Sequence, residues 1–307
     1  MKHIERNTLI TIVGPTAIGK TALSIKLAKH FNADIISCDS RQFYKEMTIG
    51  TAVPETAELA AAHHHFIQNR SIFEEYNVGS FERDALQKLD DLFEVNPVQI
   101  MVGGSGLYVD AVLKGLDYFP EVDVKIREEL TTQLQEKGIE HLQEKLKELD
   151  IETYNNIAID NPHRIMRALE ICIGSNTPYS SFKNKPKCPR NFNSIKIGLN
   201  ADREIIYNRI NLRVDNMIAN GLLEEAKKLH SNKKLNALQT VGYRELFSFF
   251  DGDFTKDFAI SEIKKNTRRF AKRQLTWFRK DQEILWFDYQ KNSQEIIKNI
   301  SDKINAI

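Results

Sequence analysis

The densest chemistry in the chain lies in eight consecutive residues. Gly14-Pro15-Thr16-Ala17-Ile18-Gly19-Lys20-Thr21 fits G-x-x-x-x-G-K-[ST], a loop whose backbone amides wrap a phosphate or pyrophosphate. Gly14 and Gly19 let the main chain fold round the anion, Lys20 neutralises charge, and the Thr21 hydroxyl is placed for Mg²⁺. A turn that merely caps a helix is the rival reading. Context disfavours it, because the β-branched run Leu9 to Val13 precedes the loop and helical periodicity follows. The cradle does not name the molecule carrying the phosphates. A nucleotide hydrolase would add an Asp for magnesium after a neighbouring strand, yet Val98 to Val102 runs into Gly103-Gly104-Ser105. Asn184-Lys185-Pro186-Lys187 resembles a guanine-reading segment but lacks its closing Asp. Both observations weaken a nucleotide-hydrolase reading.

A carboxylate stands close by in the same predicted architecture. Asp39 follows the apolar run Ala33 to Cys38 and so falls at the carboxyl end of a predicted parallel strand, the edge where open α/β sheets build their sites. Asp39-Ser40-Arg41-Gln42 is rich in hydrogen-bonding groups; Asp39 reads equally as a general base or as a turn former. Arg209 and Arg213 lie one helical turn apart, on one side of a predicted helix, either as site cations or as solvated charges. Further on, Ser261 to Asp281 carries Lys264, Lys265, Arg268, Arg269, Lys272, Arg273, Arg279 and Lys280 against Glu262 and Asp281. Read as a helix, it sets Lys265, Arg268, Lys272, Thr276 and Arg279 on one face. Ile263, Phe270, Ala271, Leu275 and Phe278 then face the core. Such a face is commonly only solvated; the charge excess with Trp277 interleaved favours phosphate contact. His63-His64-His65 invites a metal, but adjacent side chains diverge and no i, i+4 pair is present, so a satisfied turn or strand is expected.

Positioning these groups takes a parallel sheet. Strands are predicted at Leu9–Val13, Ala33–Cys38, Val98–Val102 and Ile195–Leu199, with helices over Thr21–His30 and Ser80–Val95 between them. From Asp123 to Ile173 only helical periodicity is present, with a start signal at Asn161-Pro162. Asn176 to Asn193 reads as an exposed connection. Asp202 is expected to cap a long helix ending at Gly221. The expected fold is α/β, a P-loop NTPase-like parallel sheet flanked by helices. The core domain takes residues 1–119 and 193–307, and an all-helical insertion takes 120–192. The 307 residues hold 43 Lys+Arg against 42 Asp+Glu, for a net charge of +1. That is an ordinary globular composition, which excludes collagen-like, disordered and membrane classes. Cys38, Cys172 and Cys188 form no C-x-x-C pair and are expected reduced. A soluble, cytoplasmic monomer is expected.

Taken together, the segments resemble the tRNA dimethylallyltransferases, the tRNA isopentenyltransferase family. Gly14 to Thr21 is similar to its GPTxxGKT loop, Asp39 to Tyr44 to its DSxQ-x-Y segment, Ile49 to Ala52 to IGTA, and Gly103 to Tyr108 to GGTGLY. His64-His65, Arg164 to Glu170, Val241-Gly242-Tyr243 and Ala271 to Arg279 match further, in the family's order. The chain departs at Ser105, where Thr is usual, at Val53, where Lys is common, and in its third histidine.

The resemblance implies transfer of a dimethylallyl group from dimethylallyl diphosphate to N6 of adenosine 37 in the tRNA anticodon stem-loop. Asp39 would be the base, with Lys20, Arg213 and Mg²⁺ held through Thr21 around the departing diphosphate. The family match puts Asp39, Ser40, Arg41, Gln42, Ser105 and Arg127 against tRNA. It adds His163, Arg164, Ile165, Met166, Arg167, Gln239, Thr240, Val241, Gly242 and Tyr243, and finally Lys272 to Arg279, with Lys272, Arg273 and Arg279 as the cations. Three alternatives remain: an ATP-using small-molecule kinase in which Asp39 activates a hydroxyl, a nucleotide-dependent RNA-binding switch, and prenylation of free adenine nucleotides.

Overall fold

A computed structural model describes residues 7–185 and 189–306; Cys188 and the Pro186-Lys187 part of the guanine-like segment lie outside them. The chain runs β1 (Thr8–Val13), α1 (Lys20–Phe31), β2 (Ile35–Ser37), α2 (Thr56–Ala61), β3 (His64–His65), α3 (Val78–Phe93), β4 (Val98–Val102) and α4 (Gly106–Lys114). There follow α5 (Val124–Leu149), α6 (Ile151–Asn156), α7 (Pro162–Ser175), β5 (Asn193–Asn200), α8 (Arg203–Ala219), α9 (Leu222–Leu229), α10 (Tyr243–Phe250), α11 (Lys256–Phe278), β6 (Leu285–Asp288) and α12 (Ser293–Asn305). Two compact units emerge, Met1–Lys114 with Arg190–Ile307, and Gly115–Pro189.

The first unit holds one parallel sheet in the order β3-β2-β4-β1-β5-β6. Central β1 is buried along its whole length, and its side chains alternate between two cores. Ile10 and Ile12 join Leu23, Leu27, Ile206, Ile210 and Ile300 beneath α1, α8 and α12. Leu9 and Val13 join Phe81, Leu89, Met101 and Val112 beneath α3 and α4. Such two-sided burial explains why β1 and β4 read as continuous apolar runs. The next strand after β1 in the chain, β2, is not its neighbour: β4 lies between them, so the chain departs to one side of β1 and later returns on the other through β5. Loops at the carboxyl ends of β1, β2 and β4 therefore converge where a ligand fits.

Local chemistry moved several boundaries. The helix expected from Ser80 begins at Val78, because Asn77 accepts from the amides of Gly79 and Ser80. Asp202 occupies the N-cap of α8 but its side chain makes no capping bond, and α8 stops at Ala219, with Gly221 (φ 99°) capping α9 instead. Phe270 is exposed and not in the core. β6 and the two-residue β3 lie at the sheet's edges, and the latter gives the histidines a strand. The second unit is helical; its core is Leu130, Leu142, Leu146, Ile165, Met166, Ala168 and Leu169. Gly138 (φ 80°) breaks α5 into two periodic halves, and Asn161 caps α7 with Pro162 in its first turn. Cys38 and Cys172 are buried free thiols.

A candidate diphosphate site at the carboxyl edge of the sheet

The loop between β1 and α1 has a shape only some residues permit. Gly14 takes φ +140°, and a Cβ there would sit 2.5 Å from the Leu199 carbonyl oxygen of β5. No other residue fits that approach. Ala17 is held at φ 63°, which is costly for an L residue and persists only under tertiary restraint. The restraint is visible: Arg209 Nε on α8 donates to the Ala17 carbonyl at 2.7 Å. One turn on, Arg213 donates to Thr16 Oγ1 at 3.1 Å. From α11, Gln274 Oε1 accepts the Thr16 amide at 2.8 Å while its Nε2 donates to the Gly104 carbonyl at 3.0 Å. Two helices from the far end of the chain thus clamp the loop. Neither arginine is merely solvated.

Lys20 Nζ bends back on the loop, donating to the carbonyls of Gly14 and Pro15 at 3.0 and 2.8 Å. Burial, reinforced by the Arg213 charge, pushes its pKa down to about 8, against the opposing pull of Asp39. Burial also lowers the Arg213 pKa, and Asp39 again opposes. Asp39 thus opposes the lowering of both cations. Asp39 Oδ1 accepts the Arg41 amide at 3.1 Å, so the turn fixes the carboxylate's orientation. Thr21, half-buried in the first turn of α1 beside Lys20, offers a neutral oxygen. With diphosphate oxygens and waters it would complete the all-oxygen shell that Mg²⁺ prefers.

Beside Asp39, its turn is tied to two other segments singled out in the sequence. Ser40 donates its amide to Ser105 Oγ at 3.1 Å, and the two hydroxyls meet at 3.2 Å. Arg41 donates to the carbonyls of Asn236 and Ala237, tying its turn to the segment leading to Gln239. Gln42 is spent inside the protein, donating to the carbonyls of Thr51 and Ala52 and accepting from Ser37. Gln239 is exposed, and Thr240 and Val241 are half-buried. Tyr243 is wholly buried, with its hydroxyl on Glu225 at 2.7 Å, which corrects its assignment as an RNA contact. Glu225 also collects the amides of Thr48, Ile49 and Gly50. Gly242 is buried too, its amide on Glu245. On α11, Lys272, Arg273 and Arg279 are exposed, whereas Lys264 pairs with Asp215 and Arg268 donates to Asn211. Trp277 Nε1 donates to Asp110 at 2.8 Å.

In the helical unit, Ile165 and Met166 are core residues, so their side chains are corrected from RNA contacts to packing. His163, Arg164 and Arg167 are exposed on α7. Glu170, its side chain 4% exposed, pairs with Arg127 at 2.7 Å and Arg167 at 3.3 Å. Sequence reasoning missed Glu170 and Glu225 as organisers and misread Gln274 as part of an RNA-facing run. A polar residue spaced three and four from the buried Ala271 and Phe278 was the available signal for Gln274.

Residues 42–281 match the family described as IPP transferase. The chain belongs to that family. Among curated relatives, a tRNA dimethylallyltransferase of Flavobacterium psychrophilum is 64% identical, over 97% of this chain and 99% of its own. The tRNA dimethylallyltransferase 1 of Bacteroides fragilis is 42% identical over 97% and 98%. Of solved structures, the tRNA isopentenylpyrophosphate transferase of Bacillus halodurans superposes with TM-score 0.74 at 36% identity, covering 98% of each chain. A eukaryotic dimethylallyltransferase described as acting on tRNA gives TM-score 0.80 at 25% identity, over 98% of this chain and 80% of that one. The chain is thus an IPP transferase family member over nearly its whole length.

Proposed function

We propose that this IPP transferase family member moves a dimethylallyl group from dimethylallyl diphosphate to N6 of adenosine 37 in tRNA, releasing diphosphate. The observation that carries the reading is the carboxylate of Asp39, fixed by its own turn, acting on Lys20 and Arg213 at a diphosphate cradle whose flanking strand β4 ends without a hydrolase Asp. The relatives named as tRNA dimethylallyltransferases support tRNA as the acceptor.

The chemistry follows from the residues. The N6 lone pair of adenine is conjugated with the ring, so attack on the allylic carbon needs its proton removed as the bond forms. A positioned carboxylate contributes about 10²- to 10⁴-fold to such a step, and Asp39 takes that proton. As the C–O bond breaks, the diphosphate gains charge, and the loop amides, Lys20 and Arg213 stabilise it. Mg²⁺ held at Thr21 would supply Lewis-acid neutralisation of the same oxygens. Adenine cannot reach a buried carbon from within a stacked loop, so the base turns out into the site, while Lys272, Arg273 and Arg279 grip phosphates. One chain acts on one tRNA in the cytoplasm.

Incubation with unmodified tRNA, dimethylallyl diphosphate and Mg²⁺, then nucleoside mass spectrometry, is expected to give prenylated adenosine without ATP. Turnover only with ATP would make it a kinase; prenylation of AMP but not tRNA would move the acceptor.

A further inference from the structure

At the opposite edge of the sheet the structure assembles a group that the transfer reaction does not use. β2 and β3 pair in parallel, Ile35 opposite His64 and Ile36 opposite His65, and the Ile35 amide donates to the His63 carbonyl at 2.9 Å. Alternation along a strand puts His63 and His65 on one face and His64 on the other, where His64 Nδ1 bonds the Ala62 carbonyl. Asp34, next to His63 across the pair, points its carboxylate at both outer rings. His63 Nδ1 lies 2.9 Å and His65 Nε2 2.7 Å from the same oxygen, Oδ2. The two rings are 4.4 Å apart, centroid to centroid.

The ligand atoms of Asp34, His63 and His65 all lie within 4.8 Å of one another. Two imidazole nitrogens and one carboxylate oxygen at that spacing are a donor set for a borderline divalent ion, whose bonds run about 2.0–2.2 Å. Spacing along the sequence argued against a metal because it looked for a helical i, i+4 pair. A strand supplies the same convergence at i, i+2, with the third ligand from its neighbour.

We propose that Asp34, His63 and His65 form a Zn²⁺ site that staples the edge strand β3 to β2. Three protein ligands leave a position for water, and His63, with its side chain 71% exposed, opens the site to solvent, so the ion exchanges. The site is structural. Asp34 precedes β2 whereas Asp39 follows it, five residues or about 16 Å of extended chain away. β3 is two residues long and, among the described residues, pairs only with β2, which is why a staple matters there.

The test uses the full chain, stripped of metal with a chelator. Titration with Zn²⁺ by calorimetry, and with Co²⁺ by visible absorption, is expected to show one saturable site with the d–d bands of nitrogen–oxygen ligation. His63→Gln, a change at an exposed ring, and His65→Ala are each expected to weaken that binding at least about tenfold. Prenyl transfer with Mg²⁺ alone should be unchanged, which separates failure of this site from failure of the proposed reaction. Zn²⁺ should slow amide exchange at His65 and Phe66 in the parent but not in His63→Gln. An absence of saturable binding in the parent, or binding in both variants as tight as in the parent, overturns the proposal.

Discussion

Asp39 carries two readings, the turn former that the structure shows and the base that the proposed reaction requires. The turn-former role is real, since Oδ1 accepts the Arg41 amide; the same bond holds the carboxylate where its charge acts on Lys20 and Arg213. Asp39→Ala is expected to cut transfer by at least about 10²-fold while tRNA binding, measured by filter retention, largely survives. Retained transfer would remove the base assignment. Lys20 yields a pH prediction whose sign follows from its lowered pKa. It is charged below about pH 8 and neutral above, so affinity for inorganic diphosphate should be greatest below pH 8. Above it, affinity should fall by up to about tenfold per pH unit. Since Asp39 raises the Lys20 pKa, Asp39→Asn should move that fall to lower pH, and Lys20→Met should abolish it. Isothermal titration across pH 6.5–9.5, a window of roughly 1.5 units either side of the transition, reads all three.

At the scale of elements, the phosphate loop is held by helices remote in sequence. Gln274 joins the Thr16 amide of the loop to the Gly104 carbonyl after β4 from a buried position in α11. Gln274→Leu keeps the volume but strands a buried donor and acceptor. We expect a loss of about 1–3 kcal/mol of stability, seen in urea unfolding, together with a raised KM for the diphosphate substrate. Gln274→Glu restores the acceptor only, so it should recover part of the KM. Elements buried on both faces, β1 and β4, were legible as apolar runs, and so was the loop, whose residues are contiguous. The edges were not. β3 is made of histidines, and Leu285-Trp286-Phe287-Asp288 of β6 is short and only half-buried. The arginines of α8 and Gln274 reach the site through tertiary folding alone. The family resemblance picked out Arg213, helical spacing paired Arg209 with it, and Gln274 was read as RNA-facing; the geometry says what each touches. It also moved Tyr243, Ile165 and Met166 inside, because a motif records which residues recur and not which way they face.

The molecule as a whole carries a net charge of +1, too little to draw a polyanion by bulk attraction. Affinity for tRNA must then come from local arrangement. Along α11 the basic residues divide: Lys264 and Arg268 are occupied by Asp215 and Asn211 of α8, tying that helix to the helix that clamps the loop. Lys272, Arg273 and Arg279, nearer the end that carries Gln274 and Trp277, are left exposed. The same helix thus anchors the cradle loop with its buried face and leaves these cations exposed, and under the proposed function it would couple the RNA grip to the diphosphate grip. Removing one exposed cation should therefore cost binding and not chemistry. Lys272→Ala is expected to lower tRNA affinity and to flatten the plot of log affinity against log salt by about 0.7–0.9, one phosphate contact. At saturating tRNA, kcat should be unchanged. Arg268→Ala should behave oppositely: the Asn211 contact is lost, α8 loosens against α11, and KM for the diphosphate rises with little change in salt slope. An unaltered slope in Lys272→Ala would place the RNA on another face.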